Sequence, residues 1–305
     1  MAKIALRRIL EAIPVLFIIV SVTFFLVRLA PGGPFDTEKD IPEEIQKRIE
    51  AYYNLDGSLW DQYTGYLGGL VRGDLGPSYT MSTFTVQEII ASSFPISAEL
   101  GLYGLGVALV IGLIAGLTAS LRPNSMTDYV PMSAAMIGIC VPNFVLGPIL
   151  ILIFALWLGW LPVSGWNSPA DKILPSITLG AMYAAYVARL TRGGMLEVLS
   201  NDFIRTARAK GLSESRVVLR HALRGGIAPV VAYLGPAAAG MLTGSFVVET
   251  VFFIPGLGKT FVESAFNRDY TMILGTVLFY AALIIVLNLI ADLLQLWLDP
   301  RLRDA

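Results

Sequence analysis

Long stretches of the chain carry no charge and are separated by short polar segments. The uncharged runs cover residues 12–27, 100–121, 129–170, 173–188, 225–248 and 270–291. None alternates apolar with polar residues, as a half-buried strand would. A helix needs about 20 residues to cross a hydrocarbon core of about 30 Å. The pattern predicts an all-α, polytopic membrane protein with six transmembrane helices, at about 9–30, 98–121, 129–158, 173–195, 227–252 and 271–297.

The run 129–170 is long enough for one crossing or two, and the choice sets the orientation of everything after it. Basic residues collect on the cytoplasmic side of membrane proteins. One crossing places Lys3, Arg7, Arg8, Arg122, Arg189, Arg192, Arg205, Arg208, Lys210, Arg216, Arg220, Arg224, Arg301 and Arg303 on one side. Only Lys39, Lys47, Arg48, Arg72, Lys172, Lys259 and Arg268 fall on the other. Two crossings would put the C-terminal arginines outside. The expectation is therefore one crossing, then a return over the outer surface at "GWLP" and "SGW", with both termini cytoplasmic. The first span lacks small residues before a cleavage point, since "VRLAPGG" places Arg28 and Pro31 around Ala30. It is expected to stay uncleaved.

Residues 31–95 form the largest hydrophilic piece and are expected to make an outer cap. "PEEIQKRIEAYYN" suggests a helix opened by Pro42, and "WDQYTGYLGGL" a second, amphipathic one. Composition agrees with a membrane chain: 55% of residues are hydrophobic and 15% charged, against about 25% charged in soluble domains. Mean hydropathy is +0.67. Cys140 and His221 are each the only residue of their kind, which rules out a disulfide within the chain and a Cys/His metal cluster. Cys140 is expected to be a buried, inert thiol.

The polar segment 196–226, "SNDFIRTARAKGLSESRVVLRHALRGG" in its main part, concentrates arginines between two spans. Ser200, Asn201 or Asp202 suits a helix start, and Gly211 the left-handed residue that ends such a helix. Ser213 and Glu214 suit the start of the next, with Gly225 and Gly226 at its end. Arg216, Arg220 and Arg224 recur every four residues, flanked by Val218, Leu219, Ala222 and Leu223. A loop that only fixes topology needs no apolar flank. A surface for anionic lipid or nucleic acid explains the charge, but not the glycine-limited helix ends. A docking element explains both, and no nucleic-acid partner is expected.

"TARAKGLSESRVVLRHALR" resembles the EAA loop of ABC importer permeases. Thr206, Ala207 and Arg208 stand near the EAA positions and Gly211 at the glycine. Thr206 stands where the broad pattern has Glu, and Arg224 near where Pro often closes it. The chain is similar to the peptide and nickel branch of that family in "LRRILEAIPVLFIIVSVTFFLVRLAPGGPF", "GSFVVETVFFIPGLGKTFVESAFNRDY" and "LDPRLR". It looks most like the B subunits of oligopeptide permeases. The resemblance implies a type I ABC importer permease fold in the bacterial inner membrane. It also implies a homologous second permease in a heterodimer, two cytoplasmic ATPases, a periplasmic or lipid-anchored binding protein, and a peptide substrate. In that family the loop couples to the ATPases, so Phe203, Arg205, Thr206, Ala207, Arg208, Lys210, Gly211, Leu212, Arg216 and Arg220 become coupling candidates.

"PGLGKT" falls short of a phosphate-binding loop, which needs Gly where Phe253 stands. The chain thus shows no cofactor or catalytic site, and ATP with Mg would be bound by the partner ATPases. No Gly-x-Ser-x-Gly or His-Glu-x-x-His occurs. Gly112–Gly116 and Gly240–Gly244 are spaced for close helix packing. Glu11, Glu99, Glu249 and Asp292 lie in or near spans, where charges face water, a cavity or a partner. All four are expected near solvated span ends, with Glu249 the one candidate for the substrate path. The competing function is an autonomous channel or secondary transporter driven by an ion gradient, with those groups as a relay.

Overall fold

The computed structural model describes residues 2–30 and 55–298. The helix suggested from Pro42, the first part of the cap (31–54) and the "DPRLR" tail lie outside the described residues. Those described are overwhelmingly helical, with one isolated bridge, between Pro77 and Thr85.

In chain order the helices are α1 (Ala2–Leu29), α2 (Leu59–Val71), α3 (Val86–Leu121), α4 (Met126–Cys140) and α5 (Asn143–Leu150), with a π-helical turn at Ile151–Trp157. Then come α6 (Ile173–Leu199), α7 (Asp202–Ala209) and a composite α8. The last winds as α at Glu214–Arg216, as π at Val217–Ala222 and as α again at Leu223–Gly226. The chain finishes with α9 (Ala228–Gly244), α10 (Phe246–Val251), α11 (Leu257–Phe266) and α12 (Tyr270–Leu298). Leu10–Leu29, Val86–Leu121, Ala170–Leu199, Ala228–Val251 and Tyr270–Leu293 are each long and apolar enough to cross a membrane.

The run 129–170 departs from the expectation of one straight crossing. α4 and the α5 stretch Asn143–Trp157 pass the same test only together, and they meet at a bend of 110°. Val141 is extended there (φ −100, ψ 115). The cause is Pro142, whose ring pushes the preceding residue out of the helical region. Cys140 ends α4 just before this bend and is exposed, not buried as expected.

The chain divides into two compact units, Ser97–Ile254 with Leu287–Ala305, and Ala2–Ile96 with Pro255–Val286. In the second, Phe24, Tyr63 and Leu274 form a buried cluster with Phe25, Tyr66 and Leu67 around it. α2 is set by Ser58, whose hydroxyl accepts from the Asp61 amide. Burial pushes the Tyr66 hydroxyl up to about 12. Asp269 organises the start of α12, accepting from the Ser78 hydroxyl and from the amides of Thr80 and Met272.

In the first unit α6 is the central helix. A Cβ on Gly112 would lie 2.6 Å from the Val187 Cβ and 2.7 Å from the Ala184 carbonyl oxygen. α3 and α6 therefore touch backbone to backbone, which small residues permit. The spans expose large apolar side chains, among them Leu10, Ile13, Phe17, Ile18, Val22 and Leu26 on α1, and Leu102, Val110 and Ile114 on α3. That is the surface a lipid solvent requires.

Candidate functional site

The segment after α6 is a pair of short helices seated on the end of that helix. Met195, Ile204, Ala207, Val217, Val218 and Ala222 form one buried cluster, closed by Leu117, Val198, Leu199, Leu212 and Leu223. α7 contributes Ile204 and Ala207, three residues apart and so on one face. Burial of the larger of these side chains, each stabilising by about 1.5–3 kcal/mol, holds the pair as a rigid knuckle.

Gly211 makes the turn with φ +76. Nothing lies within 4 Å of where its Cβ would be, so conformation and not space calls for glycine here. The amides of Gly211 and Leu212 donate to the carbonyls of Arg208 and Ala207, closing α7. Across the turn Arg208 holds Glu214 with two bonds, Nε at 3.1 Å and Nη2 at 2.5 Å. Arg208 holds the Glu214 carboxyl below its ordinary range, and the guanidinium is raised in return. Neither Asn201 nor Ser213 makes the side-chain cap expected of it.

The predicted coupling residues separate by burial. Phe203 (51% exposed), Arg205, Thr206, Arg208, Lys210, Gly211, Arg216 and Arg220 face outward. Ala207 is buried and Leu212 half-buried, so Ala207 packs the knuckle and offers no contact surface. The apolar flank also shifts: Leu219 is 59% exposed, while Val217 turns inward. Phe203 and Leu219 thus stand as apolar points among arginines. Sequence reasoning missed Ile204 and Val217 as anchors. It also missed Gly194, whose added Cβ would collide with the Gly226 carbonyl oxygen.

Glu249 and Asp128 are buried, and Glu99 is partly exposed but bonded within the protein. Glu249 is fully buried, and its Oε1 accepts from Ser97 Oγ at 2.7 Å and Ser245 Oγ at 2.6 Å. It has no exposed surface for a substrate, and the expectation that it ends in water is corrected. A buried carboxylate is stable only where donors replace the lost water. Glu99 is bound by Lys172 Nζ at 2.5 Å and Trp166 Nε1 at 2.9 Å. Asp128, at the start of α4, receives Nε and Nη2 of Arg192 on α6, each at 2.7 Å. Among the described residues no group of three or more His, Cys, Asp or Glu is placed to hold a metal ion. At "PGLGKT" the chain turns at Phe253 (φ 55) and α11 starts at Leu257, without the long glycine loop that cradles phosphates.

Apolar helices long enough to cross a membrane, with a packed helix pair at the end of α6, define a polytopic membrane protein. The description "Binding-protein-dependent transport system inner membrane component" matches residues 108–304, and its N-terminal companion matches residues 1–100. The chain belongs to that family, the membrane-spanning subunits of ABC importers, and is a transport subunit, not an enzyme. The oligopeptide transport system permease protein OppB of Haemophilus influenzae is 48% identical over 305 residues, covering 99% of this chain and 100% of that one. OppB of Escherichia coli strain K12 is equally similar, at 48% over 305 residues with the same coverage. The dipeptide transport system permease protein DppB of Bacillus subtilis is 43% identical over 303 residues, covering 99% and 98%. Among solved structures, the inward-facing MetNI methionine ABC transporter aligns with a TM-score of 0.56 at 16% identity, over 70% of this chain and 97% of that one. This last likeness bears on the fold, which is that of ABC importer permeases.

Proposed function

We propose that the chain forms half of the translocation pathway for short peptides and couples to cytoplasmic ATPases through residues 196–226. The full-length likeness to OppB and DppB supports the peptide reading. One observation carries the coupling reading: the exposed face of the knuckle, Phe203, Arg205, Arg208, Arg216 and Arg220, stands on a fully packed base. Buried aromatic and arginine anchors dominate binding energies at protein interfaces. A face of this composition on a rigid base suits a groove in a partner.

In this reading both termini and the knuckle are cytoplasmic, and the chain pairs with a homologous permease, two ATPases and a periplasmic or lipid-anchored binding protein. The partner ATPases bind ATP and Mg. Closure of their dimer moves the knuckle, and α6 carries that displacement into the spans. The Asp128–Arg192 bond hands it on to α4. Glu249 then holds the α9–α10 junction to α3 and does not itself touch substrate. Transport by an ion gradient would need a relay of ionisable groups. The carboxylates of Glu99, Asp128 and Glu249 instead sit in separate, locally bonded clusters.

The test is a pull-down of tagged chain from its native host beside a Gly211→Pro version. Recovery of a second permease and ATPases, weakened by the substitution, is the expected result. A chain that purifies alone, or undiminished recovery by the substituted chain, contradicts the coupling role.

A further inference from the structure

A cavity of about 370 Å³ is lined by Lys172, the ion-pair partner of Glu99. Tyr103, Val107, Ile173, Ser176 and Ile177 line it together with Lys172. Glu99 and Lys172 are partly exposed, at 36% and 23% of their side chains. Trp166 Nε1 anchors Glu99 from the other side. The ammonium of Lys172 also stands 5.7 Å from the ring centre of Tyr103 and 5.2 Å from that of Trp166. The volume lies within the range of small-ligand sites, which are apolar with a few placed polar groups.

We propose that this cavity receives the two charged ends of a short peptide, an assignment that rests on the peptide reading above. Lys172 exchanges Glu99 for the peptide carboxylate, and Glu99 exchanges Lys172 for the peptide ammonium. Glu99 and Lys172 balance each other's charge, so a zwitterion can replace the internal pair without leaving an unpaired charge. A singly charged ligand cannot, and an unpaired partly buried charge is costly. The flexible four-carbon stem of Lys172 lets the two charges part, while Trp166 keeps Glu99 in place. The start of α6, directly after Lys172, adds its own partial positive charge on the carboxylate side. The apolar slot below takes a peptide side chain.

The experiment uses the complete transporter with its binding protein in proteoliposomes. Uptake of trialanine is compared for the free, N-acetylated and C-amidated forms, each as the ratio of variant to wild type. The ratio cancels any preference of the binding protein. Lys172→Gln is expected to lower kcat/KM for free trialanine by about tenfold, as loss of a charged hydrogen bond does, and for the C-amide far less. Glu99→Gln is expected to spare the N-acetylated form in the same way. Lys172→Arg is expected to keep uptake of the free peptide. Equal losses for all three forms would show a structural ion pair and overturn the proposal. A Lys172→Gln defect that disappears in vesicles without phosphatidylethanolamine would assign the cavity to that zwitterionic lipid, and would also overturn it. If the charge variants fail to assemble, Val107→Phe narrows the slot and leaves the pair intact. It is expected to cut uptake of trileucine more than of triglycine, and equal loss contradicts the proposal. Wild-type complex that moves none of these peptides refutes the peptide reading itself, a result separate from equal losses in the variants.

Discussion

Gly194 on α6 and Gly226 at the end of α8 lie so close that a side chain on either has no room. A Cβ on Gly194 would enter the Gly226 carbonyl oxygen, and one on Gly226 would enter the Met195 sulfur. Neighbouring Gly193 has nothing within 4 Å of its Cβ position. Overpacking a well-filled site costs about 1–3 kcal/mol. Gly194→Val is therefore expected to unseat the knuckle, lowering the thermal midpoint in detergent and abolishing ATPase recovery in a pull-down. Gly193→Ala is expected to be neutral or to stabilise by about 0.5–1 kcal/mol, because alanine is the better helix former.

Asp128 is 3% exposed and Arg192 30% exposed at their side chains, joined by two bonds. Removing one partner of such a pair leaves the other desolvated and unpaired. Charge-assisted bonds contribute roughly 1.5–3 kcal/mol, and the partial exposure of Arg192 puts the expected loss for Arg192→Gln at the lower end. The double variant Asp128→Leu/Arg192→Leu is expected to lose less than Asp128→Leu alone, since it strands no charge. Thermal unfolding of the three proteins in one detergent decides this.

Glu249 accepts from Ser97 and Ser245 on separate elements. Ser97→Ala and Ser245→Ala are each expected to cost about 1–3 kcal/mol and to be non-additive when combined, because they share one acceptor. Glu249→Gln is expected to reduce stability and the uptake of every peptide by a common factor. Selective loss of one peptide class would return Glu249 to the substrate path.

The Arg208–Glu214 clamp gives a pH dependence with a definite sign. Glu214 has its pKa depressed from 4.5 in the folded chain, with hydrogen bonds from Arg208 the largest cause. Its contribution is present above the unfolded value and is lost as the pH falls through the lower folded one. Amide exchange at Leu212 and Ser213, corrected for the intrinsic pH dependence of exchange, is expected to accelerate below about pH 4.5 more than elsewhere in the knuckle. Glu214→Gln is expected to remove that extra acid sensitivity. Both side chains are well exposed, so the effect is local and falls with added salt.

The long apolar helices were legible because charge-free length is a one-dimensional signal. Runs such as 100–121 and 270–291 coincide with single long helices. The bend at Val141–Pro142 was less so, since Pro14, Pro95, Pro131, Pro148 and Pro236 all sit inside helices without ending them. The left-handed Gly211 was readable from local turn chemistry. The inward turn of Val217 was not, because the π-helical stretch at Val217–Ala222 changes the period from which a helical face is read. The partners of Glu99, Asp128 and Glu249 include residues between 64 and 152 positions away. No spacing rule reaches that far, so Glu249 looked like a solvated span end and Asp128 was not singled out.

The most direct test of the central claim is uptake of labelled trialanine by the complete complex in proteoliposomes, with the outward face of the knuckle reversed in Arg216→Glu/Arg220→Glu. The account predicts ATP-dependent uptake by the wild type that an imposed proton gradient cannot replace. It also predicts loss of that uptake, with ATPase binding, in the reversed chain. Full uptake by the reversed chain, or uptake driven by the proton gradient without ATPase, would contradict it.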